Sequence, residues 1–358
     1  FNNSSPEIHG AAIYFVKNLN ASNHDVDIEE CLFYDNLAKR GPVAYAYDGV
    51  TADWRNCVMV DNKAKTYGAV LYHKDEVSTG QDGVMNFYNC TMWRNLLQAD
   101  PGTNGALRPW VKSTGTHVTH SVYNSIVMYT LKADSNWNII GYEEDEVHND
   151  INTSVPSRVT LNIYDSYVTR LNYSNIDNSS NVYDFDVWPG DDGTESDFPS
   201  ATTGFGSHKN FEPKLSNDHL IGKAGGSSTS IDVNGVTRPQ GSGTDIGAYE
   251  YRNTWVGGTS TDWNTAANWS LNQVPSTTSE YDSPRIADVS SGSANNPIIA
   301  PDPNGDEDDF TINNLQIDNG GSLTIGLKGS LKLTGDLVNN GSLTMNSDSQ
   351  NFSSLIVQ

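Results

Sequence analysis

Three groups of side chains in this sequence have the residue types that chemistry requires. Arg94, Arg108, Lys112, His117 and His120 fall within one stretch of chain. A base among them could remove the proton beside a uronate carboxylate while a nearby cation holds the developing charge, as a polysaccharide lyase requires. Asp53, Asp82 and Asp100 are carboxyl groups of the kind that glycoside hydrolysis uses in pairs, provided they meet on adjacent turns of the backbone. Neither group carries a spacing that marks a site, and both read equally as loop charges in water. The run Asp302-Pro-Asn304-Gly-Asp306-Glu-Asp308-Asp309 alternates oxygen ligands around a glycine in the manner of a calcium loop. Asp302, Asn304, Asp306 and Asp308 are its candidate ligands for Ca2+, although Asn313 stands where such a loop ends in a bidentate Glu. An acidic turn before the strand Phe310-Thr-Ile312 explains the same residues.

Three cysteines, Cys31, Cys57 and Cys90, are too few for a disulfide scaffold and lack the paired spacing of a zinc site. Their surroundings are more telling. Each is followed five positions later by an asparagine, Asn36, Asn62 and Asn95, so the pattern C-x4-N occurs three times. A second motif runs alongside it: Gly10-Ala-Ala-Ile-Tyr14, Gly41-Pro-Val-Ala-Tyr45, Gly68-Ala-Val-Leu-Tyr72 and, more loosely, Gly105-Ala-Leu-Arg108. These glycines are 31, 27 and 37 residues apart. Constant motifs at variable spacing indicate a constant core with loops of different length inserted between its parts.

Period-two alternation, as in Val84-Met-Asn-Phe-Tyr-Asn-Cys90, points to strands rather than helical repeats. The pattern predicts a parallel β-helix, in which equivalent residues of successive coils stack about 4.8 Å apart and inward side chains form ladders. Cys31, Cys57 and Cys90 are expected in one buried column of thiols. Asn36, Asn62 and Asn95 are expected in a turn column, their amides satisfying backbone groups of neighbouring coils. Weaker copies follow at Tyr123–Thr130, with Ser125 in the cysteine place, and at Val159–Val168, read as the next core strand. Residues 132–157, which include Glu143-Glu-Asp-Glu146, and residues 172–208 are polar and read as long excursions from the coil.

Further on stand Phe205-Gly, Phe211-Glu-Pro-Lys-Leu215, Leu220, Ser230-Ile-Asp232, Arg238-Pro239 and Asp245-Ile-Gly-Ala-Tyr-Glu-Tyr251. This series resembles the closing segment of secreted right-handed parallel β-helix proteins, and the upstream Asn-Cys coils resemble theirs as well. The resemblance implies an all-β fold with a right-handed parallel β-helix over residues 1–251. Trp255-Val-Gly-Gly-Thr-Ser-Thr-Asp-Trp263-Asn-Thr-Ala-Ala-Asn268-Trp269 is similar to the start of a module common in Bacteroidetes surface proteins that leave by type IX secretion. That likeness implies contact with the type IX secretion machinery, by association. Within residues 252–358, Gly321-Ser-Leu, Gly329-Ser-Leu and Gly341-Ser-Leu each lead into a short alternating strand, so this part is expected to be a smaller β-solenoid or β-rich module, cut short. Trp255, Trp263 and Trp269 are expected to pack over one end of it, with stacking on sugar rings as the alternative.

The chain has 44 acidic against 21 basic residues and a net charge of −23. Nucleic acid is excluded as a partner, because binding a polyanion needs a cationic surface. No apolar run is long enough for a membrane-spanning helix. The chain begins at Phe1 without an initiator Met and ends at Gln358 inside a strand-like pattern, which predicts a processed, secreted or cell-surface protein whose signal peptide and C-terminal segment lie outside it. The expected function is that of a non-catalytic adhesin presenting loops toward polysaccharide or another cell-surface ligand. A polysaccharide lyase or glycoside hydrolase on the same scaffold is the alternative.

Overall fold

The structure, a computed structural model, describes residues 3–16, 25–76, 82–98, 105–112, 116–128, 130–142, 158–168, 178–180, 183–184, 220–226, 229–279, 281–290, 294–300 and 309–358. Contacts divide the chain into two compact units, Phe1–Gly235 with Thr244–Tyr249, and Val236–Gly243 with Glu250–Gln358.

Among the described residues, the strands of the first unit stack in four sheets that wind as a parallel β-solenoid. Sheet A contains Ser4–His9, Leu37–Arg40, Lys63–Tyr67, Leu96–Leu97 and Leu131–Ala133, with Ile139–Tyr142 added antiparallel at its end. Sheet B contains Ile13–Val16, Ala44–Tyr47, Leu71–Asp75 and Leu107–Val111. Sheet C contains Asp25–Glu29, Thr51–Arg55, Gly83–Tyr88, Val118–Tyr123, Val159–Tyr164 and Asn178–Ser180. Sheet D contains Leu32–Tyr34, Val58–Val60, Thr91–Trp93, Ile126–Met128, Tyr167–Val168 and Tyr183–Asp184. Two sequence expectations need correction. Val159–Val168 is not one strand but two, broken by Asp165, and the excursion after residue 132 contains the paired strand Ile139–Tyr142.

Single residues in the left-handed conformation turn the corners. Between sheets C and D they are Glu30, Asn56, Asn89, Asn124 and Asp165, with φ from 47° to 53°. Asn and Asp visit this region at the lowest cost among residues with a side chain. The next residue must point inward at a sharp bend, so it is small: Cys31, Cys57, Cys90, Ser125 and Ser166 fill that place. Asp35, Asp61 and Arg94 turn between sheets D and A. Gly10, Gly41 and Gly68 turn between A and B, and a Cβ on Gly41 would lie 2.1 Å from the Ala44 carbonyl oxygen, so only glycine fits.

Inside, Ile28, Trp54, Phe87, Val122 and Ile163 form one register column under sheet C, and Phe33, Met59, Met92, Val127 and Val168 form one under sheet D. Each such buried apolar side chain contributes about 2 kcal/mol. Polar columns complete the interior. Asn36 donates its amide to Asn62 Oδ1 at 2.8 Å and Asn62 donates to Asn95 Oδ1 at 2.9 Å, and the same oxygens accept from the backbone N–H of Asn36 and Asn62 at 3.1 Å. The thiols of Cys31, Cys57 and Cys90 are free. Cys57 and Cys90 are buried as expected, whereas Cys31 is only half-buried; hydrogen bonding to Cys57 together with burial pushes the Cys31 thiol far above its ordinary range. A nucleophilic thiolate needs the opposite shift.

Of the segment that resembles a solenoid's closing tail, residues 205–219 lie outside the described residues, and the described part packs along the side of the coil. Leu220, Ile246, Ala248 and Tyr249 lie along the outer face of sheet D, against Val58, Val60, Trp93, Ile126 and Tyr167. Asn residues of the C–D corner grip it. Gly225 N–H donates to Asn124 Oδ1 at 2.7 Å, Thr229 N–H to Asn89 Oδ1 at 3.0 Å, and Thr229 Oγ1 to Asn56 Oδ1 at 2.8 Å. Gly247 has φ 105° and would bring a Cβ to 2.7 Å from Ile126 Cδ1, which explains the glycine of Asp245-Ile-Gly-Ala-Tyr-Glu.

The second unit has three parallel sheets among its described residues, of which Ser322–Ile325 and Ser342–Met345 share one and Ser330–Leu333 another. Leu323, Ile325, Leu331 and Leu333 are buried. Trp255, Trp263 and Trp269 are fully buried and meet edge to face at 5.1 and 4.7 Å. None of the three offers a ring to a sugar, so the stacking alternative falls. Arg238 and Glu250 form a buried ion pair at 2.9 Å, and Gln240 N–H donates to the same carboxylate.

Candidate functional site

Sheet D is covered, but the outer face of sheet C remains half exposed. Its outward residues fall into columns, because alternation sends every second side chain out and the parallel register repeats the position on each rung. One column reads Glu29, Arg55, Tyr88, Tyr123 and Tyr164. The next reads Asp27, Asp53, Asn86, Ser121 and Asn162, and the third contains Thr51, Val84, Thr119 and Thr160.

The three tyrosines stack in parallel, 5.0 Å from Tyr88 to Tyr123 and 5.1 Å from Tyr123 to Tyr164. Stacking covers the ring faces and leaves their edges in a row. Burial raises the Tyr88 phenol above its ordinary range, with Asp53 and Tyr123 adding to the effect, so its hydroxyl stays a neutral donor and acceptor. Arg55 ends the row, 5.3 Å from the Tyr88 ring centre, and binds the carboxylates of Asp27, Asp53 and Glu29. Asn86 donates to Asp53 at 2.8 Å and Asn162 to Ser121 at 3.1 Å. The face is thus a set of hydrogen-bonding groups held in place by one another.

A cleft of ≈ 460 Å³ opens at the Arg55 end, between Glu29, Arg55, Asn56 and Tyr88 on one side and residues 229–231 on the other. The hydrogen bonds from Thr229 to Asn56 and Asn89 fix its far wall.

The candidate residues for the alternative lyase chemistry do not share a face. His120 points inward and is fully buried, because it occupies an inward position of its strand. Arg94 stands at the D–A corner beside Asp61, Arg108 lies on sheet B, and Lys112 follows that strand. His117 sits at the edge of sheet C, where its backbone N–H donates to Asp82 at 3.0 Å and its Nε2 lies 3.1 Å from Thr160 Oγ1. Of the expected acids, Asp53 is on the sheet C face and Asp82 is exposed before Gly83–Tyr88, whereas Asp100 lies outside the described residues. Asp302, Asn304, Asp306 and Asp308 lie outside them as well. Among the described residues no group of three His, Cys, Asp or Glu could hold a metal ion, and no helix is long and apolar enough to cross a membrane.

The sequence reading missed the tyrosine column, although a signal existed. Tyr88, Tyr123 and Tyr164 each stand two places before the Cys or Ser of the inward column, in Tyr-Asn-Cys, Tyr-Asn-Ser and Tyr-Asp-Ser. No protein-family model, curated protein or solved structure matches the chain.

Proposed function

We propose that the first unit is a glycan-binding module in which an extended saccharide chain lies along the outer face of sheet C, parallel to the solenoid axis. The observation that carries this reading is the match of periods. Hydroxyl, amide and phenol groups recur once per rung, about 4.8 Å apart, close to the length that one hexose adds to an extended chain. Each sugar can then meet the same donors and acceptors as the one before it. The flat, half-exposed face suits a polymer better than a small molecule, which would need a deeper enclosure.

The setting belongs to the same reading. A secreted or surface-anchored adhesin of Bacteroidetes type, exported by type IX secretion, is supported by the motif resemblances and by a parallel fold that tolerates inserted loops. Calcium binding at Asp302, Asn304, Asp306 and Asp308 is part of this proposal; a higher melting temperature in calcium than in chelator checks it, and no difference removes it. The hydrolase alternative draws on one observation, that Asp27 and Asp53 are register partners on adjacent rungs. Arg55 binds both, however, and a carboxyl that must hold a proton needs an apolar setting away from cations.

Glycan-array binding combined with an assay for new reducing ends tests the reading. The expected result is retention of an extended glycan without cleavage, weakened about tenfold by Tyr123→Ala. Release of reducing ends that disappears in Asp53→Asn would replace it with the hydrolase.

A further inference from the structure

We propose that the corner between sheets A and B of the first unit binds an oxyanion carried by a saccharide, either a carboxylate or a sulfate ester. The saccharide as carrier rests on the reading above; the oxyanion rests on different residues.

The corner is built by the glycine repeat. His9, Arg40 and Tyr67 each directly precede a turn glycine, Gly10, Gly41 and Gly68. The strand after the turn places Tyr14, Tyr45, Tyr72 and Arg108 in register. Because the turn is tight, the residues before it fold against the residues after it. His9 stacks on Tyr45 at 4.6 Å, Tyr14 on Tyr45 at 5.2 Å, and Tyr45 on Tyr72 at 5.4 Å. Arg40 lies 4.9 Å from the Tyr67 ring centre and 5.3 Å from that of Tyr72, and Arg108 lies 3.9 Å from Tyr67.

Two guanidinium groups therefore share one pair of rings in a chain whose net charge is −23. Burial, with Arg40 contributing, lowers Arg108 to about 10, and burial followed by Arg40, Lys39 and Lys74 lowers His9. The nearby carboxylates of the described residues are engaged: Glu7 with Lys65 at 2.5 Å, and Glu76 with Lys74 at 3.0 Å and the Tyr47 hydroxyl at 2.6 Å.

Two polar atoms of the corner, His9 Nδ1 and Arg40 Nε, are buried and have no hydrogen-bond partner. Leaving a buried polar group unpaired is destabilising, so a partner that satisfies it is favoured. A carboxylate or sulfate offers several acceptor oxygens in the plane or cone that a guanidinium fork recognises. It would take the Arg40 Nε–H and favour a protonated His9 whose Nδ1–H donates to it, and its charge would relieve the repulsion among the cations. Tyr14 indicates the carrier. One ring face stacks on Tyr45 while the residue is 50% exposed, leaving a platform for the C–H face of a pyranose. His9, Arg40 and Tyr67 are half-buried, so an oxyanion reaches the two covered atoms as the His9 and Arg40 side chains swing outward.

The full chain carrying Tyr123→Ala, which weakens binding at sheet C, is titrated with galacturonate, sulfated galactan and neutral galactan oligosaccharides of equal length. At least one anionic ligand should bind about tenfold more tightly than the neutral one, and Arg40→Gln should erase that preference. Binding should also raise the pH at which His9 titrates, followed by NMR. Preference for the uronide alone identifies a carboxylate site, for the sulfated chain alone a sulfate site, and for both a general oxyanion site. Equal binding of all three, an unchanged preference in Arg40→Gln or an unmoved His9 overturns the proposal. If Arg40→Gln does not fold, the His9 titration in the Tyr123→Ala chain decides. Failure of the sheet C reading would appear separately, as neutral-glycan binding that Tyr123→Ala does not weaken.

Discussion

Sheets C and D are made by the same coils and are separated on each rung by one left-handed residue and the small inward residue after it, yet they have opposite outer faces. Outward positions of sheet D are Val58, Val60, Trp93, Ile126 and Tyr167, and Leu220, Ile246, Ala248 and Tyr249 bury them. Outward positions of sheet C are Tyr88, Tyr123, Tyr164, Asn86 and Asn162, which remain half exposed. The backbone does not distinguish the two. In a solenoid the corners and the inward columns hold the fold, so the outward column of each sheet is free to become either a packing surface or a recognition surface.

The interiors differ as well. Sheet D covers an apolar column, whereas His120 of sheet C meets His73 of sheet B inside the coil. His73 Nδ1 lies 3.3 Å from His120 Nε2, and His73 Nε2 donates to the Asp48 carbonyl at 3.2 Å. With its Nε2 proton committed, neutral His73 accepts from His120, which leaves His120 Nδ1 as the buried atom without a partner.

Breaking the covered face should have the largest effect. Gly247→Val forces a side chain into a left-handed position against Ile126 and Thr91, and should cost about 4 kcal/mol in strain and overpacking. A lower melting temperature and new binding of an apolar dye would show sheet D uncovered; an unchanged melt would mean that the segment does not depend on this contact.

Acid should act next, on the interior behind sheet C. Burial holds His73 down to about 4, and burial together with His73 holds His120 well below its ordinary range. The unfolded chain, with histidines near 6.5, therefore binds protons that the folded chain excludes. Stability should be full above about pH 6.5 and fall as pH drops toward about 4, by about 3 kcal/mol for His73 alone. Hydrogen exchange should rise in Leu71–Asp75 and Val118–Tyr123 before Thr91–Trp93. His73→Phe with His120→Leu should flatten the pH profile.

Asn62→Ala removes the oxygen that accepts from both the backbone and the amide of Asn36 and should cost about 2–3 kcal/mol, read from denaturant unfolding. A smaller and purely functional change is expected from Tyr123→Ala, which stands outside the core: about tenfold weaker glycan binding and less than about 1 kcal/mol of stability.

The contrast also shows what a sequence of this kind discloses. Asn56-Cys57, Asn89-Cys90 and Asn124-Ser125 are legible because a left-handed corner and a cramped inward position each admit few residue types. Sheet D announces its cover in Val58-Met-Val60 and Ile126-Val127, apolar on both faces, as strands buried on two sides are. Tyr88, Tyr123 and Tyr164 are different. Nothing in packing demands a tyrosine on an open face, and the loops make their spacing irregular, so they become a column only once the rungs are in register. The same holds for His9 and Arg40 beside their glycines. The basic residues that could have supplied lyase chemistry are close in sequence, but one coil carries neighbouring residues around all sides of the solenoid.

The central claim is that one saccharide unit meets one rung of sheet C. Affinity measured over a series of linear, neutral oligosaccharides of increasing length tests it most directly, with backbone NMR locating the contacts. The claim predicts that each added sugar strengthens binding and extends the perturbed region by one strand, from Gly83–Tyr88 through Val118–Tyr123 to Val159–Tyr164. Affinity independent of length, or perturbation confined to other sheets, would contradict it.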